Sequence, residues 1–93
     1  ASHRYGGAVD LTIVDASGDE LDMGVAVGHC TNPEAALLFY ELLPRLSAGQ
    51  RRYRDNRRML IRSMTGADFV PYPPEFWHWG FDRDIDVAAD FAG

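Results

Sequence analysis

Hydrophobic and polar positions divide the chain into two β-rich ends and a helical middle. Residues 8–14 alternate loosely between apolar and polar side chains and are rich in β-branched residues. The turn-forming sequence Asp-Ala-Ser-Gly occupies positions 15–18, and a second partly apolar segment follows at positions 20–23. Because apolar segments on either side of such a turn are typical of a hairpin, we predict a β-hairpin over residues 8–23.

Two helices are predicted in the middle of the chain. Asn32 is a favourable N-cap and Pro33 suits the first helical position, so we expect a helix from Pro33 to about Leu46 with a wide apolar stripe. Pro44 should kink or end that helix. A second helix is expected over residues 48–64, with apolar side chains at helical spacing on one side and arginines on the other.

Residues 69–79 are predicted to be extended. Residues 69–74 contain three prolines, which fix φ and disfavour the α region for the residues before them. Residues 75–79 then alternate as a strand. Together these elements predict one α+β domain over residues 1–93, in which two helices pack against an antiparallel sheet.

Composition and charge narrow the class of protein. No apolar run approaches the roughly 20 residues that cross a bilayer, so we expect a soluble protein with no membrane partner. The lone Cys30 cannot form an internal disulfide, which suits a reducing cytoplasm. The formal net charge of −5 disfavours nucleic acid as a partner.

Positive charge is nevertheless concentrated in one stretch, residues 45–62. The arginines there are Arg45, Arg51, Arg52, Arg54, Arg57, Arg58 and Arg62, and Asp55 is the only acid among them. A helix that binds a polyanion is one interpretation. A solvated helix face or an interdomain contact is favoured, because no nucleic-acid motif accompanies the charges.

Four side chains near the two ends of the chain are candidates for catalysis: His3, Asp10, Glu75 and His78. Imidazole and carboxylate groups are suitable ligands for a catalytic zinc ion, which takes three protein ligands and leaves a position for water. The fourth side chain can then carry a proton, because zinc lowers the pKa of its water towards about 7 and a nearby carboxylate can accept the remaining proton.

Two motifs give these residues a family resemblance. Residues 1–10 resemble the SxHxxGxAxD signature of the D-alanyl-D-alanine dipeptidases and related zinc DD-peptidases, with Ala1 in place of the signature serine. Glu75, Trp77 and His78 match the second signature, ExWH, in full. Further matches lie between the motifs, at Asp22-Met23-Gly24 and at residues 56–60, so the resemblance covers most of the chain.

The resemblance implies a site and a reaction. His3, Asp10 and His78 would hold Zn²⁺, and Glu75 would act as general base and acid in hydrolysis of D-Ala-D-Ala or a similar short D-amino-acid dipeptide. The implied fold is the DD-peptidase or hedgehog type, and the implied location is the cytoplasm. Since Glu75 and His78 would face opposite sides of a regular strand, we expect a bend or bulge at its start, induced by Pro73-Pro74.

Alternative functions are a wall-directed DD- or LD-carboxypeptidase of the same superfamily, which would be exported, and a non-catalytic zinc-binding half-domain that needs a partner chain. The family's signature histidine lies near the middle of a chain roughly twice as long, so we expect this fold to be incomplete at its N-terminus. The arginine that polarises the scissile carbonyl in the family would then come from a missing N-terminal half or from a partner chain.

The sequence supports three further expectations about the site. The family acid that helps to hold the substrate ammonium group has no counterpart in the segment following Gly24. His29 beside Cys30 offers an alternative zinc pair, although a loop role is favoured. Trp77 and Trp79 are expected to form walls of the site.

Overall fold

A three-stranded antiparallel sheet and one long helix organise the fold. The computed structural model describes residues 8–29 and 31–81. The strands are β1, Ala8–Asp10, β2, Phe69–Tyr72, and β3, Glu75–Phe81, and β3 lies between the other two. The helices are a 3₁₀ turn, Pro33–Ala35, a short helix α1, Phe39–Leu42, and the long helix α2, Ala48–Gly66. The predicted α+β class is confirmed. In the described part of the chain, no helix combines the length and apolar character needed to cross a bilayer.

The predicted hairpin is present only as a short pairing. Val14 and Glu20 form an isolated antiparallel bridge. The Asp15 carboxylate closes the turn between them by accepting hydrogen bonds from the backbone N–H groups of Ser17 and Asp19, at 2.9 and 3.1 Å. The regular strand pairing of β1 is instead with β3, near the other end of the chain. Local turn chemistry therefore forms the turn, whereas β1 joins the sheet by pairing with a distant segment.

Helix α2 begins with a capping box formed by Ser47 and Gln50. The Ser47 hydroxyl accepts from the backbone N–H of Gln50 at 3.1 Å, and the Gln50 side chain accepts from the Ser47 N–H at 2.9 Å. This reciprocal capping box satisfies two N–H groups that have no partner within the helix. The predicted range of 48–64 is extended by two residues, to Gly66.

The prediction of a continuous helix from Pro33 to Leu46 is wrong. Asn32 does cap the start, since its side chain accepts from the Glu34 N–H at 2.9 Å. The helical hydrogen bonds nevertheless stop after Ala35 and resume only for the four residues of α1. Two residues of the predicted apolar stripe are exposed, Leu38 at 49% and Leu42 at 80%.

A buried arginine explains why that helix is interrupted. Arg57 of α2 is only 1% exposed and donates to the carbonyl oxygens of Glu34 at 2.7 Å and Ala36 at 2.8 Å. A continuous helix would use both carbonyls for its own N–H groups. The backbone N–H of Leu37 also turns away, donating to the Pro73 carbonyl at 2.8 Å. Tertiary hydrogen bonds therefore replace the helical ones.

Arg57 also joins three parts of the fold. Its guanidinium lies between two aromatic rings, 4.5 Å from the centroid of Tyr40 and 4.6 Å from that of Phe76, and it donates to the Met23 carbonyl at 2.9 Å. Burial lowers the pKa of Arg57 to about 10, so the side chain remains a cation at neutral pH. Stacking on two rings and three accepting carbonyls compensate for its lost hydration.

The hydrophobic core lies between β3, α2 and the loops that precede α2. Its buried members are Met23, Ala35, Leu37, Leu60, Met64, Phe76, Trp77 and Trp79. Trp79 is fully buried, and its indole Nε1–H donates to the Phe76 carbonyl at 2.9 Å. The strand that carries the ExWH motif is therefore also the centre of the core.

Tyr40 should make folding sensitive to alkaline pH. Burial and a 2.8 Å hydrogen bond from its hydroxyl to Glu34 Oε1 raise the pKa of Tyr40 to about 12. Ionisation is therefore easier in the unfolded chain, where the tyrosine pKa is about 10. The resulting stability is complete below pH 10 and is lost as pH rises towards 12, and we expect Tyr40 to account for a decrease of about 2 kcal/mol in the free energy of unfolding.

Urea unfolding between pH 8 and pH 12 measures this effect. The matched variant is Tyr40→Phe, which keeps the ring stacked on Arg57 but removes the ionisable hydroxyl. Its stability should fall less steeply with pH than that of the unmodified chain. Parallel pH profiles for the two proteins would contradict the assignment.

Candidate metal centre

Pairing of β1 with β3 brings together side chains that are 68 residues apart in sequence. Asp10 lies directly opposite His78 in the antiparallel register. Because opposite residues in such a pair project to the same face, the two side chains meet. Asp10 Oδ1 is 3.0 Å from His78 Nδ1. The structure therefore joins one residue from each sequence motif.

A strand irregularity adds Glu75 to this pair. Pro71 lies opposite Trp79, but the next residue, Tyr72, lies opposite Glu75, so the intervening residues of β3 bulge out of the ladder. Glu75 Oε1 then lies 3.9 Å from His78 Nδ1. The predicted bulge at the start of this strand is confirmed, and it places Glu75 and His78 on the same side.

The three side chains differ in exposure. Those of His78 and Glu75 are 13% and 22% exposed, whereas that of Asp10 is 46% exposed. The imidazole is sheltered on one side by the ring of Tyr72, whose centroid lies 5.1 Å away in an edge-on arrangement. The group is thus half-buried and reached from solvent on the side of Asp10.

The atoms of Asp10 and His78 fit a shared zinc ion. Ligand atoms 2.0 to 2.2 Å from a tetrahedral zinc lie about 3.3 Å from each other. The observed separation of 3.0 Å is close to this value, and a carboxylate oxygen with an imidazole nitrogen is a suitable donor set. Glu75 Oε1 lies farther from the imidazole than the Asp10 oxygen does, at 3.9 Å against 3.0 Å.

The described residues supply two of the three predicted ligands. His3 lies outside the described residues. Within 8–29 and 31–81, no three histidine, cysteine, aspartate or glutamate side chains form a group that could hold a metal ion. The alternative pair is not tested either, because His29 is exposed but Cys30 also lies outside the described residues.

The described part of the chain has an open cleft, and Asp10, Glu75 and His78 are not part of its lining. It has a volume of about 360 Å³, and its lining includes Thr12, Phe76 and the loop of residues 20–27. The pairing of the strands continues past β1, because the backbone N–H of Leu11 donates to the Trp77 carbonyl at 2.9 Å. Thr12 and Phe76 of the lining are two residues along the chain from Asp10 and His78 respectively.

The two intermediate segments that match the family contact each other beneath this cleft. Asn56 donates through its side chain to the Asp22 carbonyl at 2.8 Å, and Arg57 donates to that of Met23. Gly24 adopts φ +95°, and a Cβ there would lie 2.5 Å from the Tyr40 hydroxyl. Only glycine fits this conformation and this space. The matched residues thus shape the cleft floor rather than supply further ligands.

Sequence reasoning misplaced the aromatic residues of the site. Trp77 and Trp79 were expected as walls, but they are 2% and 0% exposed and belong to the core. Tyr72 instead borders the imidazole and is 47% exposed. Its position in the Pro-Tyr-Pro-Pro segment directly before the motif was the available signal. The support given by Arg57 was also missed, although its spacing of three and seven residues from Leu60 and Met64 marks the buried face of α2.

The arginine-rich surface is separate from this site. Arg58 forms a bidentate pair with Glu41, at 2.7 Å for each bond, and Arg51 donates to the Leu46 carbonyl at 3.1 Å. Arg54 pairs with its neighbour Asp55. These arginines bond acceptors of the same chain, and neither the polyanion interpretation nor the interdomain one is tested.

Fold and site together define an α+β chain with a candidate hydrolytic metal centre on its sheet. The D-alanyl-D-alanine dipeptidase of Escherichia coli (strain K12) is 37% identical over 79 residues, which cover 85% of this chain and 37% of that protein. The D-alanyl-D-alanine dipeptidase of Synechocystis sp. is 32% identical over 83 residues, which cover 83% of this chain and 32% of that protein. The resemblance predicted from the motifs is confirmed: the chain is a homologue of the D-alanyl-D-alanine dipeptidases over most of its own length.

The chain spans about a third of the length of these curated relatives. No protein-family model and no solved structure matches the chain.

Proposed function

We propose that this chain carries the zinc-binding part of a peptidase that hydrolyses D-Ala-D-Ala or a similar short D-amino-acid dipeptide. The observation that carries the proposal is the meeting of Asp10, Glu75 and His78 through β-pairing and a bulge. Homology to proteins named D-alanyl-D-alanine dipeptidase supports the proposed substrate class.

In this proposal His3, Asp10 and His78 hold Zn²⁺. Bound zinc supplies polarisation of the scissile carbonyl and a lowered pKa for the attacking water. Glu75 accepts the proton of that water and later donates it to the amine that leaves. Its side chain is more sheltered than that of Asp10 and stands 3.9 Å from the imidazole, so it would be close to a metal held by His78.

The fold proposed for the intact protein is the DD-peptidase or hedgehog type. The antiparallel sheet that carries the site on β1 and β3, with α2 packed against it, supports this assignment. We further propose a cytoplasmic location, because a dipeptidase of this kind acts on free dipeptide.

Exposed leucines favour a second candidate, a non-catalytic half-domain that binds zinc and needs a partner chain. Leu38 is 49% exposed and Leu42 is 80% exposed, and both lie on the segment that precedes α2. Exposed apolar side chains that lie together are typical of surfaces covered by other parts of a protein.

Hydrolysis by the zinc-loaded chain distinguishes these functions. We expect release of D-alanine from D-Ala-D-Ala, but not of L-alanine from L-Ala-L-Ala. Absence of an oxyanion-stabilising arginine would reduce turnover by about 10²–10³-fold, so the assay needs long incubation and a sensitive D-alanine readout. Faster cleavage of a wall pentapeptide ending in D-Ala-D-Ala would favour the carboxypeptidase. Bound zinc without cleavage of any peptide would favour the half-domain.

A further inference from the structure

Tyr72 is an exposed aromatic residue beside the candidate centre. Its ring lies edge-on to that of His78, with 5.1 Å between the centroids, and it is the register partner of Glu75. It therefore borders the proposed metal ligand and the proposed proton carrier at once. Since 47% of the residue is exposed, the ring can also meet a bound molecule.

The neighbouring aromatic side chains of the motif are occupied elsewhere. Phe76, Trp77 and Trp79 are each at most 2% exposed and pack in the core. Phe76 also stacks on Arg57. Among the described residues of β2 and β3 that neighbour His78, Tyr72 is the large ring left to contact a ligand.

Backbone constraints hold Tyr72 in place. Pro71 and Pro73 flank it, and a following proline restricts a residue to extended conformations. The Pro73 carbonyl accepts from the Leu37 N–H at 2.8 Å, which anchors the turn to the body of the fold. A rigidly held ring is suited to discriminating between substrates, because the protein cannot easily move it to accept a larger group.

We propose that Tyr72 is a specificity-determining residue of this site: its ring packs against a small apolar side chain of the dipeptide and restricts the size of that side chain. The inference rests on the proposed function. It assigns to Tyr72 the wall that the buried tryptophans do not form. A contact of about the size of one methyl group changes kcat/KM by roughly 10-fold or more.

The test compares three substitutions in the zinc-loaded chain on D-Ala-D-Ala and on two bulkier dipeptides, D-Ala-D-Phe and D-Phe-D-Ala. Tyr72→Phe keeps the ring and should therefore keep the preference for D-Ala-D-Ala over the bulkier dipeptides. Tyr72→Ala should raise KM for D-Ala-D-Ala by about 10-fold with little change in kcat, and should improve the relative kcat/KM of one bulkier dipeptide. Tyr72→Trp enlarges the ring and should lower that relative kcat/KM.

Tyr53→Phe is a control outside the site, and zinc content is measured for every protein. Unchanged KM and unchanged size preference in both Tyr72→Ala and Tyr72→Trp would overturn the inference. Loss of zinc from Tyr72→Ala would also overturn it, by making Tyr72 a support for His78 only. If the unmodified chain cleaves none of the dipeptides, the proposed function fails and this inference fails with it, whereas cleavage that is insensitive to Tyr72 removes only the inference.

Discussion

Replacing Glu75 with glutamine should reduce hydrolysis of D-Ala-D-Ala by about 10³-fold while the bound zinc is retained. Glutamine keeps the size and polarity of the side chain but cannot accept the proton of the attacking water. The carboxylate stands 3.9 Å from His78 Nδ1, so it is close to the proposed metal without being required to hold it. Turnover at saturating zinc and metal content of the same sample measure the two effects.

Glu41→Gln is the matched control for this prediction. It makes the same chemical change on α1, where Glu41 pairs with Arg58 away from the site. The pair is partly exposed, so its loss should cost less than about 1 kcal/mol and leave turnover unchanged. Parallel loss of zinc and activity in Glu75→Gln would make Glu75 a ligand, and full activity would remove it from the reaction.

Local signals predicted the elements whose hydrogen bonds are local. The capping box of Ser47 and Gln50 starts α2, and the apolar spacing of Leu60 and Met64 marks its buried face. The alternation of residues 75–79 predicted β3, and two consecutive prolines predicted the irregularity before it. In each case the residues that determine the structure lie within a few positions of it.

The segment from Pro33 to Leu46 was mispredicted because its structure depends on a distant side chain. The N-cap residue Asn32 and the spacing of the apolar residues in this segment both favour a helix. Arg57, more than 20 residues further along, draws the carbonyls of Glu34 and Ala36 out of helical pairing. The spacing of Arg57 from Leu60 and Met64 places it on the buried face of α2, but nothing in the sequence indicates that it bonds the carbonyls of the earlier segment.

The geometry of the candidate site also depends on contacts between residues that are distant in sequence. The motifs predicted which residues take part, but the 3.0 Å approach of Asp10 to His78 depends on strand order, which the predicted hairpin of residues 8–23 did not include. The burial of the tryptophans could not be predicted from the sequence either, because it depends on how β3 packs against α2. Trp77 and Trp79 are large and adjacent to His78 in sequence, yet the core between β3 and α2 takes both.

Replacing His78 with alanine should lower zinc affinity by more than about 100-fold, because loss of a direct ligand exceeds the 10–100-fold cost typical of changes around a metal site. The imidazole is the best-sheltered of the described groups at the centre, and no other histidine among the described residues lies there to replace it. The zinc content measured after dialysis should therefore fall from about one equivalent to almost none.

His29→Ala is the matched control, since it removes an exposed imidazole from a loop outside the centre. Zinc retained in His29→Ala and lost from His78→Ala would assign the metal to the site on β1 and β3. The reverse result would instead place zinc at His29 and Cys30, and would leave the 3.0 Å contact between Asp10 and His78 as a structural hydrogen bond. Circular dichroism of both variants separates loss of a ligand from loss of the fold, because the side chain of His78 is only 13% exposed and its removal also deprives Tyr72 of a packing partner.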